Sequence, residues 1–159
     1  MSFSIDSSTG LTVSPPVAVA QGGTGSTVGA AYGRVVRTAG NITTTSTTLV
    51  DVTGATVTIT TGANPVAYGV SQSSTSSLNG QTNFFNINID GTLQLGTSEL
   101  VDTLLGLAGE IQMSSYSGQS ATLSAGSHTI KQVWRVAGST GTIAATAASS
   151  HLFYAQEIR

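Results

Sequence analysis

The sequence predicts an all-β chain, a single sandwich or barrel preceded by an extended N-terminal arm. Short β-type runs divided by turn residues recur from Arg34 onward. Helical periodicity is nearly absent. The 22 Ser, 25 Thr and 19 Gly fill about two-fifths of the 159 residues, a mix that favours strands, turns and close backbone contacts over helices.

Residues 1–33 read as the arm and 34–159 as the β domain. Pro15 and Pro16 enforce extended backbone, and the run Gln21, Gly22, Gly23, Thr24, Gly25 is too rich in glycine for a regular element. Such a segment is flexible alone in water and is expected to be ordered by a neighbouring subunit, which makes it an assembly arm.

Within the domain, Thr56-Val57-Thr58-Ile59-Thr60 alternates strictly. Phe85, Ile87 and Ile89 point one way while Asn86, Asn88 and Asp90 point the other, so both segments predict half-buried strands. Asp90-Gly91 accepts the positive φ angles of a type I′ turn and predicts a hairpin into Thr92-Leu93. Residues 99–107 have apolar side chains at helical spacing, but Gly106 and Gly109 limit any helix to about two turns, and a strand is the alternative. Residues 128–136, 142–148 and 152–158 give three further strand-length runs. The hydroxyl-rich tracts 43–48 and 71–77 are expected as loops.

Charge is scarce: 8% of residues are Asp, Glu, Lys or Arg, where about a quarter is usual. The net charge is −2, and Arg34, Arg37, Lys131, Arg135 and Arg159 are scattered, so no basic footprint for nucleic acid or anionic lipid is present. No apolar run is long enough for a membrane helix and no signal-peptide pattern opens the chain, so neither a membrane protein nor a secreted precursor is expected. The lack of cysteine excludes disulfides and thiolate metal sites.

Chemistry-bearing residues are few. His128 and His151 each open a strand, lie in no nucleophile motif and are expected at the surface. Asp6, Asp51, Asp90, Glu99, Asp102, Glu110 and Glu157 are thinly spread, and their spacing leaves a glycosidase carboxylate pair open as an alternative. The Gly22–Gly25 run lacks the flanking strand, helix and Lys of a phosphate loop. Neither clustered His nor a carboxylate-rich loop is present to hold a metal. The expectation is a non-enzymatic protein with no catalytic, cofactor-binding or metal-binding residue. Trp134 is read as a large anchor for the core, in preference to a subunit interface.

Two stretches carry a resemblance. Val19-Ala20-Gln21-Gly22-Gly23-Thr24-Gly25-Ser26-Thr27 resembles the glycine linkers of phage tail fibres. Residues 126–136, a small-residue strand and the closing Gln156-Glu157-Ile158-Arg159 resemble the end of jelly-roll modules in tailed-bacteriophage virion proteins. Such modules are similar to the tumour-necrosis-factor fold. The resemblance implies a jelly-roll β-sandwich with an extended N-terminal arm, assembled as a homotrimer on the outer surface of the virion. One arm and one module without a repeating shaft fit a capsid decoration or cement protein, with the major capsid protein as partner and the arm added as a strand to a neighbour. The alternative is a short tail-fibre or receptor-binding tip module, with residues 71–80 as its recognition loop.

Overall fold

The computed structural model describes residues 2–6, 10–14, 30–96, 99–103 and 107–159. Strands β1 (Ser2–Asp6) and β2 (Gly10–Ser14) pair antiparallel as a two-stranded sheet, a regular element inside the segment read as an arm. The other arm residues named above, Pro15, Pro16, Gln21, Gly22, Gly23, Thr24 and Gly25, lie outside the described residues.

The rest of the chain supplies β3 (Tyr32–Arg37), β4 (Ile42–Thr44), β5 (Val50–Thr61), β6 (Val66–Ser76), β7 (Thr82–Ile89), β8 (Thr92–Leu93), β9 (Leu100–Thr103), β10 (Gln112–Gln119), β11 (Gly126–Val136), β12 (Gly141–Ala144) and β13 (His151–Glu157). Several of these are one strand interrupted. β12 and β13 follow each other along the same side of β6, Gly141–Ala144 opposite Ser76–Ser73 and Leu152–Glu157 opposite Ser71–Val66. β3 pairs with β13 and β4 with β12, so they too continue one another. β9 and β8 both lie along β7.

With each interrupted strand taken once, the described residues of the domain form eight. One sheet then runs first, eighth, third, sixth (β3/β4, β12/β13, β6, β10), and the other runs second, seventh, fourth, fifth (β5, β11, β7, β8/β9), antiparallel throughout. That order is a jelly roll, two Greek keys folded into a sandwich.

Alternation builds the core. Val57 and Ile59 of β5, Val66, Tyr68 and Val70 of β6, Phe85 and Ile87 of β7, Ile130 of β11 and Phe153 of β13 all point between the sheets and are buried. Trp134 is 1% exposed and stacks on Phe85 at 6.0 Å with ring planes 11° apart, so it is a core residue. The predicted hairpin is present: Asp90 (φ 49°) and Gly91 (φ 91°) both adopt the left-handed backbone of a type I′ turn, with Ile89 opposite Thr92. Between Lys131 and Val133 the β11 ladder against β5 shifts register, and Gly54 (φ 79°) lies in the bulged stretch.

Several expectations are corrected. Tract 71–77 is no loop: Ser71–Ser76 belongs to β6, the strand flanked on both sides, with Gln72, Ser73, Ser74 and Ser76 buried. Small hydroxyl side chains fit there because partners are close, as in the 2.7 Å bond between the Ser76 and Ser139 hydroxyls. The recognition loop expected at 71–80 therefore shrinks to an exposed turn at 77–80. In tract 43–48, Thr43 and Thr44 belong to β4, and Ser46 and Thr48 form the expected loop, Ser46 Oγ donating to the Thr48 carbonyl at 2.6 Å. Asn86, expected on the solvent side, is fully buried because the 94–96 turn folds over it; its Oδ1 accepts from the Leu95 amide (3.1 Å) and its Nδ2 donates to the Gly96 carbonyl (3.3 Å). In 99–107 the strand alternative holds for Leu100–Thr103, and residues 104–106 lie outside the described residues.

Candidate functional site

Both histidines are buried, contrary to the surface positions expected. His128 enters β11 next to the 90–91 turn and its side chain is 8% exposed. Its Nδ1 lies 2.6 Å from Asp90 Oδ2 and its Nε2 lies 2.9 Å from the Ser124 carbonyl, while Asp90 Oδ1 accepts the Thr129 amide at 2.8 Å. Two acceptors facing two ring nitrogens are satisfied together by the doubly protonated imidazolium. Accordingly Asp90 first, then the Ser124 carbonyl, raise the His128 pKa, and His128 first, then the Thr129 amide, lower that of Asp90. The ring borders an open hollow of about 560 Å³ beside Leu93 and Leu123. With both nitrogens engaged by protein acceptors, neither is left free to serve a substrate as a base.

Asp51 and Asp90, distant in sequence, line a second open hollow of about 450 Å³. This hollow brings together two acids of the kind a glycosidase pairs. Asp51 is bonded to Lys131 Nζ at 2.7 Å, and Asp90 is held ionised by His128, the opposite of the raised pKa a general acid needs.

His151, 1% exposed, belongs to a separate polar chain inside the core. Its Nε2 lies 2.7 Å from Gln132 Oε1, and Gln132 Nε2 donates to Gln72 Oε1 at 2.7 Å. Burial, and secondarily Arg37, push its pKa down to about 4.

Glu157, read from the sequence as one more scattered acid, anchors the place where the arm meets the sandwich. Its Oε1 accepts from the Gly62 amide (2.7 Å) and Asn64 Nδ2 (2.9 Å). Its Oε2 accepts from the Ala31 amide (3.2 Å) and Arg159 Nε (2.7 Å). These donors, Asn64 foremost, bring its pKa down to about 2. No sequence motif marks this cluster, since all its donors except Arg159 come from two distant segments, at Ala31 and at Gly62 and Asn64. Arg135 likewise turns outward to Glu99, with its guanidinium 3.8 Å above the Phe84 ring. Among the described residues no three His, Asp or Glu side chains gather as a metal would require.

The opposite end of the sandwich has a different character. The Ala108 amide donates to Asn79 Oδ1 (2.6 Å) and the Gly109 amide to the Ser76 carbonyl (2.9 Å), which ties the 107–109 segment to the 77–80 turn. Leu78 (54%), Leu107 (77%), Ile111 (61%) and Met113 (81%) are all exposed here. Met113 stands on β10, which contains no charged residue and, among the described strands, pairs with β6 alone.

No protein-family model and no curated protein matches the chain. Solved structures to which it is similar include dimeric latent PorU from Porphyromonas gingivalis (TM-score 0.44, 9% identity, 82% of this chain and 13% of that one). Two others are infectious bursal disease virus structures. For the Gt strain the TM-score is 0.42 at 12% identity over 79% of this chain and 37% of that one; for the Gx strain it is 0.40 at 13% identity over 78% and 29%. The chain spans well under half the length of each of these.

Proposed function

We propose that this chain is a non-enzymatic structural protein of a tailed-bacteriophage virion, a trimeric decoration or cement protein on the outer surface of the head. The exposed cluster of Leu78, Leu107, Ile111 and Met113 beside the uncharged β10 edge carries the reading, because it offers apolar area and unpaired backbone to a protein partner. The ionisable groups support it too: His128, His151, Asp90 and Glu157 are engaged in holding the fold. In this role the arm, through Pro15, Pro16 and the Gln21–Gly25 run, clasps a neighbouring copy. Each trimer adds several weak contacts to the major capsid protein at once.

The test is to image intact particles carrying a labelled copy of the protein, and to heat particles with and without it. Label on the head and earlier genome release from stripped heads are expected. Label on the tail, or equal heat survival, overturns the cement role. A Leu107→Ser, Met113→Ser double variant should stay folded and fail to bind stripped heads.

A further inference from the structure

We infer that the outer face of the β3–β13–β6 sheet is a binding site for an acidic oligosaccharide, with Tyr154 as its stacking platform and Arg34 as its anion contact. This site is independent of where on a particle the protein sits.

The platform is built by a glycine. Tyr154 of β13 lies directly opposite Gly69 of β6, and a Cβ placed on Gly69 would fall 2.5–2.6 Å from Cε1, Cζ and the hydroxyl of that tyrosine. The ring therefore lies down on the sheet where a side chain would otherwise stand. Tyr154 is half-buried there and lines the hollow described below. Flat rings on a sheet surface offer an electron-rich face to the C–H face of a pyranose.

Arg34 is the residue of β3 opposite Tyr154. It is exposed and has no hydrogen-bond or ion-pair partner among the described residues. It is also the single charge among the outward-facing positions of β3, β13, β6 and β10, which hold no Asp or Glu. An exposed guanidinium on a face whose described positions hold no acid attracts a carboxylate or sulfate and pairs with it in bidentate fashion. Tyr32 (54% exposed), Leu152 and Gln156 complete an open hollow of about 460 Å³, within the size range of small-molecule sites. Neither tyrosine hydroxyl has a partner within the described chain, which leaves both for sugar hydroxyls. The combination of an aromatic plane, one cation and uncharged hydrogen-bonding groups selects an anionic sugar over a lipid or a peptide.

The experiment is an NMR and calorimetric titration of the full chain. The probes are a tetrasaccharide of alternating glucuronic acid and N-acetylglucosamine, and neutral cellotetraose. Shifts confined to Tyr32, Arg34, Tyr154 and their neighbours are expected with the acidic sugar, and weaker ones with the neutral sugar. Arg34→Gln changes an exposed residue with no partner among the described residues; it should leave the fold intact, weaken the acidic sugar about tenfold and leave the neutral one unchanged. Tyr154→Phe should retain most binding and Tyr154→Ala should lose both sugars. No shift with either sugar overturns the proposal, as does equal affinity for both, indifference to Arg34→Gln, or finding this face covered by a second copy in solution.

Discussion

His151 Nε2 lies 2.7 Å from Gln132 Oε1, with both side chains buried between the two sheets. Because Gln132 uses its amide nitrogen on Gln72, its oxygen faces the ring, and His151 must carry its proton on Nε2. That leaves Nδ1 as a buried lone pair with no partner among the described residues. Protonating it places a cation in the core.

The sign of the pH dependence follows. His151 has a pKa of about 4 when folded, against 6.5 for an unperturbed histidine, so the unfolded chain binds the proton more readily. Stability from this group is complete above 6.5 and is lost as pH falls toward 4, by about 3 kcal/mol in all. Urea unfolding of the wild type and His151→Gln across that range should show the variant with the shallower slope. Parallel slopes would mean that the ring is not neutral in the fold.

How much of this was legible depended on how local the determinant is. The 90–91 turn, the β5 alternation and the closing strands are set by residues in contact with their chain neighbours, and the sequence displays them. Tract 71–77 misleads because Ser and Thr suit loops by composition, while their place here is decided by segments distant in the chain, as with Ser76 and Ser139. The same holds for Asp90 with His128, for the donors of Glu157 and for the face on which Tyr154 covers Gly69. Long-range pairing creates each site, and no spacing announces it.

The His128–Asp90 pair predicts the opposite pH behaviour. The raised pKa of His128 means that its stabilisation is complete below the unperturbed value of 6.5 and is lost as pH rises through the folded value. Asp90→Asn keeps a residue that tolerates positive φ in the turn and removes the charge. In an NMR titration the His128 C–H resonances should titrate above 6.5 in the wild type and at lower pH in the variant. The stability gap between the two proteins should shrink as pH rises. An unchanged His128 titration would separate the pair.

Glu157→Gln tests the junction between arm and sandwich. Glutamine retains one acceptor oxygen and replaces the other with a donor, which then faces donors. The pKa of about 2 means that the carboxylate's contribution is present above the ordinary carboxylate range and is lost as pH falls toward 2. At neutral pH the variant should exchange the Ala31 and Gly62 amide protons faster, while amides in β11 keep their wild-type rates. Uniform acceleration across the chain would instead indicate global loss of stability.

Gly141 opens β12 opposite Ser76 and Thr44, and a Cβ there would meet Val136 Cγ1 at 2.6 Å and Asn83 Oδ1 at 2.7 Å. Val136 and Asn83 are both 0% exposed, so neither can move aside without disturbing β11 or β7. Gly141→Ala should therefore cost about 1–3 kcal/mol through overpacking. Gly80 is the contrast: an added Cβ there meets nothing within 4 Å, but φ is +65°, so Gly80→Ala should cost about 1 kcal/mol from backbone strain alone. The two mechanisms separate on replacement by serine. The larger side chain raises the penalty at Gly141 and leaves it nearly the same at Gly80. If unfolding measurements instead rank Gly80 as the costlier site, the corner where β12 leaves β11 has room that its contacts do not show.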